Sequence, residues 1–192
     1  MRTAIISDIH GNLEALSAVL YDIESLNIDE IVCLGDIIGY GPNPNECISL
    51  VSKKCPIILL GNHDAAVLDP LSTQNFNINA KLAIEWTQKQ LTDESREVLK
   101  KLTMTKVDET KTYVHATPYE PRMWYYISSV EEALFNFQFF NTTFCLVGHT
   151  HIPVTIALSR DNKINVSQDG FLDFSRDDDR QFLINVGSVG QP

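Results

Sequence analysis

The order of apolar runs along this chain predicts an α/β layered fold. Three observations carry that prediction. Strand-like and helix-like segments alternate early in the chain, and hairpin-like strands follow Pro153. One unit recurs: a short apolar, β-rich run, then Gly or Ser, then Asp, Asn or His. The 192 residues are 44% hydrophobic and 21% charged, enough to bury a core in a single domain over residues 1–192 and unlike a disordered or fibrous chain. In open α/β sheets, sites collect outside the carboxyl ends of the strands, which is where the recurring unit puts its polar residues.

Each element follows from local pattern. Residues 3–7 are an apolar run closed by Asp8, read as a buried strand. Leu13, Leu16, Val19, Leu20, Ile23 and Leu26 recur at helical spacing, with Asn12 as N-cap. Residues 31–34 form a second strand ending at Gly35-Asp36, and the Gly- and Pro-rich stretch 39–44 is a loop. A short helix over 46–52 leads to a third strand over 56–60, which ends at Gly61-Asn62-His63-Asp64. The middle reads as helical. Ile78, Leu82 and Trp86 share one face, and Val98, Leu99 and Leu102 another. Thr92 with Asp93 and Glu94 marks a helix start, because acids suit the positive end of the helix dipole. Residues 107–115 read as a hairpin around 108–111, and Ser129 with Glu132 is a capping box opening a helix to about Phe139. Strands follow over 144–147, 154–158, 163–166 and 181–186, with Asp161-Asn162 as a turn and the acidic group 177–179 as a solvated loop.

Charge excludes some functions. Fifteen basic against 25 acidic residues give a net charge of −10, so bulk nucleic-acid binding is not expected. A chain this acidic that handles phosphate needs concentrated local positive charge, and bound metal supplies it. Cys33, Cys47, Cys55 and Cys145 include no C-x-x-C pair and read as buried thiols of a reducing compartment. The first apolar run stops at Asp8 and no stretch approaches the ~18 apolar residues of a membrane span, so a soluble, cytoplasmic protein without membrane contact is expected.

All five histidines, His10, His63, His115, His149 and His151, fall at or just past a predicted strand end. A lone histidine there is usually a hydrogen-bonded surface or core residue; five of five point to a site. In an extended chain, residues i and i+2 point the same way, so Asp8-x-His10 can hold one metal. His149-x-His151 can do the same, or a bend can split the pair between two ions. With Asp36, Asn62 and His115, the ligand inventory is Asp8, His10, Asp36, Asn62, His115, His149 and His151. Seven ligands exceed one ion's needs and suit two if one carboxylate bridges. Mixed N/O donors without thiolate favour Mn, Fe, Ni, Co or Zn over Ca or Mg, with Mn favoured. Two such ions against Asp8 and Asp36 would leave the site at about +2. His63 remains to face substrate and protonate the departing oxygen, with Asp64 orienting its imidazole and raising its pKa.

Asp8-Ile9-His10-Gly11-Asn12, Gly35-Asp36, Gly61-Asn62-His63-Asp64, His115 and Gly148-His149-Thr150-His151 resemble, in order, the motif series of the calcineurin-like metallophosphoesterases. Residues 35–42, Trp124-Tyr125 and the tail 185–192 resemble the small bacterial and archaeal phosphodiesterase branch of that family. The resemblance implies a four-layer α/β/β/α sandwich with two packed mixed β-sheets and a dinuclear site. It implies Asp8, His10, Asp36 and His151 around one metal, and Asp36, Asn62, His115 and His149 around the other. Asp36 would then bridge and His63 would be the acid. It also suggests a further strand after Pro192, whose loss would leave an edge that favours a homodimer.

The chain departs from the family pattern in two places. The loop after Gly35-Asp36 reads Gly39-Tyr40-Gly41-Pro42, without the phosphate-gripping arginine of the protein phosphatases and symmetrical dinucleoside tetraphosphatases. The fourth motif is usually His-Gly and here is His115-Ala116. The aromatic stretch 119–126 reads either as packing under a lid or as an apolar floor for a nucleoside or aryl group. In the second case Asn12, Arg122 and Trp124 are candidate substrate contacts. The expected reaction is metal-dependent hydrolysis of a phosphodiester or phosphomonoester of a small organic molecule or nucleotide, with a metal-held hydroxide attacking in line and His63 as acid. A non-catalytic metal-binding regulatory module is the alternative. A helical HD phosphohydrolase site is a third reading, disfavoured because His63-Asp64 follows a strand-like run.

Overall fold

The computed structural model describes residues 2–69, 73, 76–168 and 179–191. Two sheets stack face to face with helices on both outer sides. The smaller sheet has the order β1-β2-β3, with β1 over Thr3–Ile6, β2 over Glu30–Cys33 and β3 over Ile57–Ile58. All its described pairings are parallel, because each strand returns through a helix: α1 (Leu13–Ser25) or α2 (Pro44–Lys54). On its outer side also lie α3 (Asn62–Leu68), α4 (Ile78–Gln90) and α5 (Asp93–Leu99). The larger sheet has the order β4-β5-β6-β9-β7-β8 and is mixed. Its strands are β4 (Thr105–Val107), β5 (Lys111–Val114), β6 (Phe144–Val147), β7 (Val154–Leu158), β8 (Ile164–Ser167) and β9 (Gln181–Asn185). Helix α6 (Val130–Asn136) covers its outer face.

Three apolar clusters fill the three gaps between these four layers. Ile6, Cys33 and Leu16 lie between the small sheet and its helices. Val32, Leu34, Leu59, Tyr113 and Leu146 lie between the sheets. Val114, Cys145, Leu183 and Phe137 lie between the large sheet and α6. Neighbouring residues on one strand, such as Val32 and Cys33, face different clusters because side chains alternate across a strand. Burial on both faces is why these strands read as unbroken apolar runs. Strands β5, β6 and β9 are mutually parallel, so the ends of β1, β2, β3, β5 and β6 all deliver polar loops to one rim.

Most predicted elements are present, including the Asn12 and Thr92 caps and the Ser129–Glu132 capping box. The four cysteines are buried and free. Gly61-Asn62-His63-Asp64, where the third strand ends, also opens helix α3, whose seven residues are too few to show a period in the sequence. One expectation fails. The shared face of Ile78, Leu82 and Trp86 points outward, with exposures of 67%, 55% and 41%. Helix α4 packs instead through Ala80, Ile84 and Thr87, with Ile84 in the apolar cluster behind the small sheet. Of the acidic group 177–179, only Asp179 is described; it is exposed and pairs with Arg160 at 3.6 Å. No helix among the described residues is long and apolar enough to cross a membrane.

Leu16 is fully buried in α1 whereas Leu82 is mostly solvated. Leu16→Ala should therefore cost about 2–5 kcal/mol in urea unfolding. Leu82→Ala should stay within about 0.5 kcal/mol; a comparable loss at both would show that the exposed face is covered.

Candidate metal centre

The loops leaving the strand ends are locked to one another by main-chain hydrogen bonds. Asp8 N donates to Gly35 O at 3.0 Å, His10 N to Asp36 O at 3.0 Å and Gly148 N to His115 O at 2.9 Å. Asp8, His10, Asp36, His149 and His151 all have positive φ, between 51° and 67°. Left-handed backbone at non-glycine residues is uncommon and costs of order 1–3 kcal/mol per residue, so it persists only where the surroundings impose it. The extended i, i+2 geometry expected for Asp8 and His10 is therefore not what brings them together. Tight left-handed turns do so, placing His10 Nε2 3.8 Å from Asp8 Oδ1.

Two separate groups of donors result, Asp8, His10 and His151 in one and Asp36, His115 and His149 in the other, and a third group of His10, Asp36 and His63 overlaps both. The bend between His149 and His151 splits them, the second of the two geometries their spacing allows. Asn62 joins the second group with Oδ1 3.1 Å from His115 Nε2. Asp36 Oδ2 lies 3.8 Å from His10 Nε2 and 3.4 Å from His115 Nε2, so one carboxylate oxygen reaches both groups. All seven residues of the expected ligand inventory meet at this rim.

Three imidazoles have their tautomer fixed by backbone. His10 Nδ1 lies 3.2 Å from Ile38 O, His115 Nδ1 3.2 Å from Leu34 O and His149 Nε2 3.0 Å from Trp124 O. A carbonyl only accepts, so these nitrogens carry the proton and the opposite nitrogen offers a lone pair to the centre. His10 Nε2 and His151 Nε2 face each other at 3.1 Å, and Asp8 Oδ1, buried, lies 3.2 Å from His151 Nε2 with no hydrogen bond assigned to it among the described residues. Lone pairs and carboxylates packed this closely repel unless positive charge lies among them. The donor set therefore fits divalent transition-metal ions. Protons answer the same demand. Burial would lower His115, but the Asp36 carboxylate outweighs it and pushes the imidazolium up to about 9. Burial would raise Asp8 and Asp36, yet the surrounding histidines hold both carboxyls below their ordinary range.

His63 stands beside these groups. Its ring centroid is 4.9 Å from His10, 4.7 Å from Tyr40 and 4.8 Å from Phe76. Its backbone N donates to Asp36 Oδ1 at 2.8 Å. Gly39 leaves room for the ring, since a Cβ there would overlap His63 Nδ1. Burial pushes the imidazole down to about 4. His63, His149 and His151 line a cavity of about 210 Å³ together with Asp36, Asn62, Tyr40 and Tyr126.

Asp64 does not orient His63. Its carboxylate accepts from Ile38 N at 3.2 Å and Gly61 N at 3.1 Å, while His63 Nδ1 has no partner. Adjacent helical residues point about 100° apart, so Asp64 turns inward to brace the loop after β2. Burial pushes its carboxyl up to about 7. Asn12 is likewise committed: Oδ1 caps α1 at Ala15 N and Nδ2 donates to Gly190 O, each at 3.0 Å. Among the described residues Arg122 makes no hydrogen bond or ion pair and is exposed. Trp124 is at the centre, through its carbonyl on His149 and its indole 5.9 Å from His115. Ala116 lacks the positive φ that would call for glycine, so the departure from His-Gly costs nothing.

The family model for calcineurin-like phosphoesterases matches residues 1–153. The chain belongs to the calcineurin-like phosphoesterase family. An uncharacterised protein of Methanocaldococcus jannaschii is 39% identical over 199 aligned positions, spanning 98% of this chain and 76% of its own. A symmetrical bis(5'-nucleosyl)-tetraphosphatase of Citrobacter koseri is 29% identical over 119 positions, 60% of this chain and 42% of its own. The solved metallophosphoesterase of Sphaerobacter thermophilus superposes with a TM-score of 0.83 at 43% identity, over 100% of this chain and 78% of its own. A hypothetical protein of Pyrococcus horikoshii at 20% identity shares the fold, with a TM-score of 0.75 over 99% of this chain and 77% of its own.

Sequence reasoning about this calcineurin-like phosphoesterase missed the tail as part of the centre. Ser188 Oγ donates to Asp8 O at 2.9 Å, Val189 N to Ser7 O at 3.0 Å and Gly190 N to Asp8 O at 2.9 Å. It placed Tyr40 in the loop after Gly35-Asp36 and Tyr126 in the aromatic stretch 119–126 without their ring contacts, and it missed Phe76. A Cβ on Gly190 would overlap Ile9 O. Gly190→Ala should therefore cost about 1–3 kcal/mol and reduce metal retained per chain. Ser188→Ala should cost only about 0.5–1.5 kcal/mol. Thermal melting and elemental analysis of both variants check the order.

Proposed function

We propose that this calcineurin-like phosphoesterase hydrolyses a phosphodiester or phosphomonoester of a small organic molecule or nucleotide at a dinuclear centre. Asp8, His10, Asp36 and His151 would hold one divalent transition-metal ion, and Asp36, Asn62, His115 and His149 the other, with Asp36 shared and Mn favoured. The observation that carries this reading is the convergence of seven donors whose inward lone pairs are aimed by backbone carbonyls. When bound, such ions acidify water toward a pKa of ~7 and draw charge from phosphoryl oxygens.

The chain's own residues supply the rest. In hydrolysis an oxygen–phosphorus bond forms from water, the ester bond breaks, and the departing oxygen takes a proton. His63 reaches the cavity beside Asp36 and His10 and would donate this proton or hydrogen bond once the anionic ester against it offsets the burial that keeps the free imidazole neutral. Tyr40 and Phe76 hold its ring in place. Among the described residues no lysine or arginine lines the cavity, so the histidines and bound cations would balance the phosphate charge.

After chelation, turnover of bis(p-nitrophenyl) phosphate should return with Mn, Co or Ni; silence with every ion, on monoesters as well, would overturn the reading. His63→Asn should lower kcat by about 10²–10⁴ while bound metal stays unchanged. Loss of metal in that variant would make His63 a ligand instead of an acid.

A further inference from the structure

A second, larger cavity of about 590 Å³ opens beside the metal centre, walled by Tyr119, Tyr125, Tyr126 and Phe135. Its walls brace one another. Tyr119 meets Phe135 edge-on at 4.9 Å, and the Tyr119 and Tyr125 rings lie 13° from parallel at 6.0 Å. Phe139 backs both Tyr119 and Phe135, at 4.6 Å and 4.9 Å. Such a basin is shaped before any ligand arrives.

Tyr126 joins this basin to the centre. It lines both cavities, and one face of its ring lies on His149 at 4.2 Å and 26°. It remains 58% exposed, which leaves the other face open. An ester with its phosphate between Asn62, His63 and His149 can cross that face and enter the basin.

The charge of the lining sets the orientation and the chemistry. Glu131 and Glu132 line the basin and, among the described residues, no lysine or arginine does, so it repels phosphate and accepts the uncharged part of the ester. Glu132 accepts from Ser128 N and Ser129 N on Oε2, and Asn136 is engaged with Tyr119 N and Glu132 O. Glu131 has no hydrogen-bond partner among the described residues, and a carboxylate can only accept. Aromatic walls with free carboxylate oxygens suit a flat ring that carries N–H donors.

We propose that this basin seats the heterocyclic base of a nucleoside phosphate ester whose phosphate lies at the metal centre. The inference rests on the phosphoesterase reading and narrows its substrate class.

The test uses Mn-loaded His63→Asn protein, to suppress turnover, titrated calorimetrically with AMP, ribose 5-phosphate and inorganic phosphate. AMP should bind at least about tenfold more tightly than ribose 5-phosphate, the scale expected of one stacked base. Phe135→Ala should remove that difference and leave ribose 5-phosphate affinity unchanged. Tyr125→Ala, at a ring that is 43% exposed, should do the same if the first variant fails to fold. Equal affinities for AMP and ribose 5-phosphate would overturn the base subsite alone, since phosphate binding would persist. A dimer dissolved by Phe135→Ala with AMP affinity unchanged would also overturn it, assigning the basin to a second copy of the chain. Failure of all three ligands, inorganic phosphate included, would bring down the phosphoesterase reading and this inference together.

Discussion

Repulsion among like donors is the constraint around which the rest of the molecule is arranged. Two buried carboxylates and four imidazoles are packed so that oxygens and unprotonated nitrogens face one another across 3–4 Å. Left alone, such a set would spread apart. It is held by five left-handed turns, by main-chain hydrogen bonds between loops, and by carbonyls that fix three ring tautomers. Each restraint costs conformational freedom that the three apolar clusters must offset. The two-sheet architecture suits this because both sheets end on the same rim and neither has to bend to reach the other.

Much of the site was legible because its residue types are chemically scarce. Asp, Asn and His immediately after apolar runs have few purely structural explanations, and their placement at strand ends needed only strand polarity. Their grouping was less legible. An extended Asp8-x-His10 and a left-handed one give the same letters, and His149-x-His151 could be shared or split until the turn was known. Asp64 shows the limit most clearly. It follows His63 directly, so pairing the two was the simplest reading, but helical geometry turns adjacent side chains apart and sends Asp64 to two backbone amides.

The fold shows a similar division. Strands buried on both faces declared themselves as apolar runs, and caps at Asn12, Thr92 and Ser129 were readable because a side-chain oxygen there has one local task. Helix α4 misled because Ile78, Leu82 and Trp86 mark one apolar stripe while Ile84, flanked by Ala80 and Thr87, makes the contact from another face. The contacts among the rings that frame the cavity were not legible for another reason. Tyr40, Phe76 and Tyr126 are far apart in sequence and meet only through the tertiary fold.

The strap formed by Ser188, Val189 and Gly190 across the Ser7–Asp8 backbone has a temporal consequence. The two segments it joins stand some 180 positions apart, so the contact closes a very long loop. A folding chain can pair β1 with β2 and bury their inner faces through nearer contacts, yet the Asp8 turn gains its backing only when the distant segment docks.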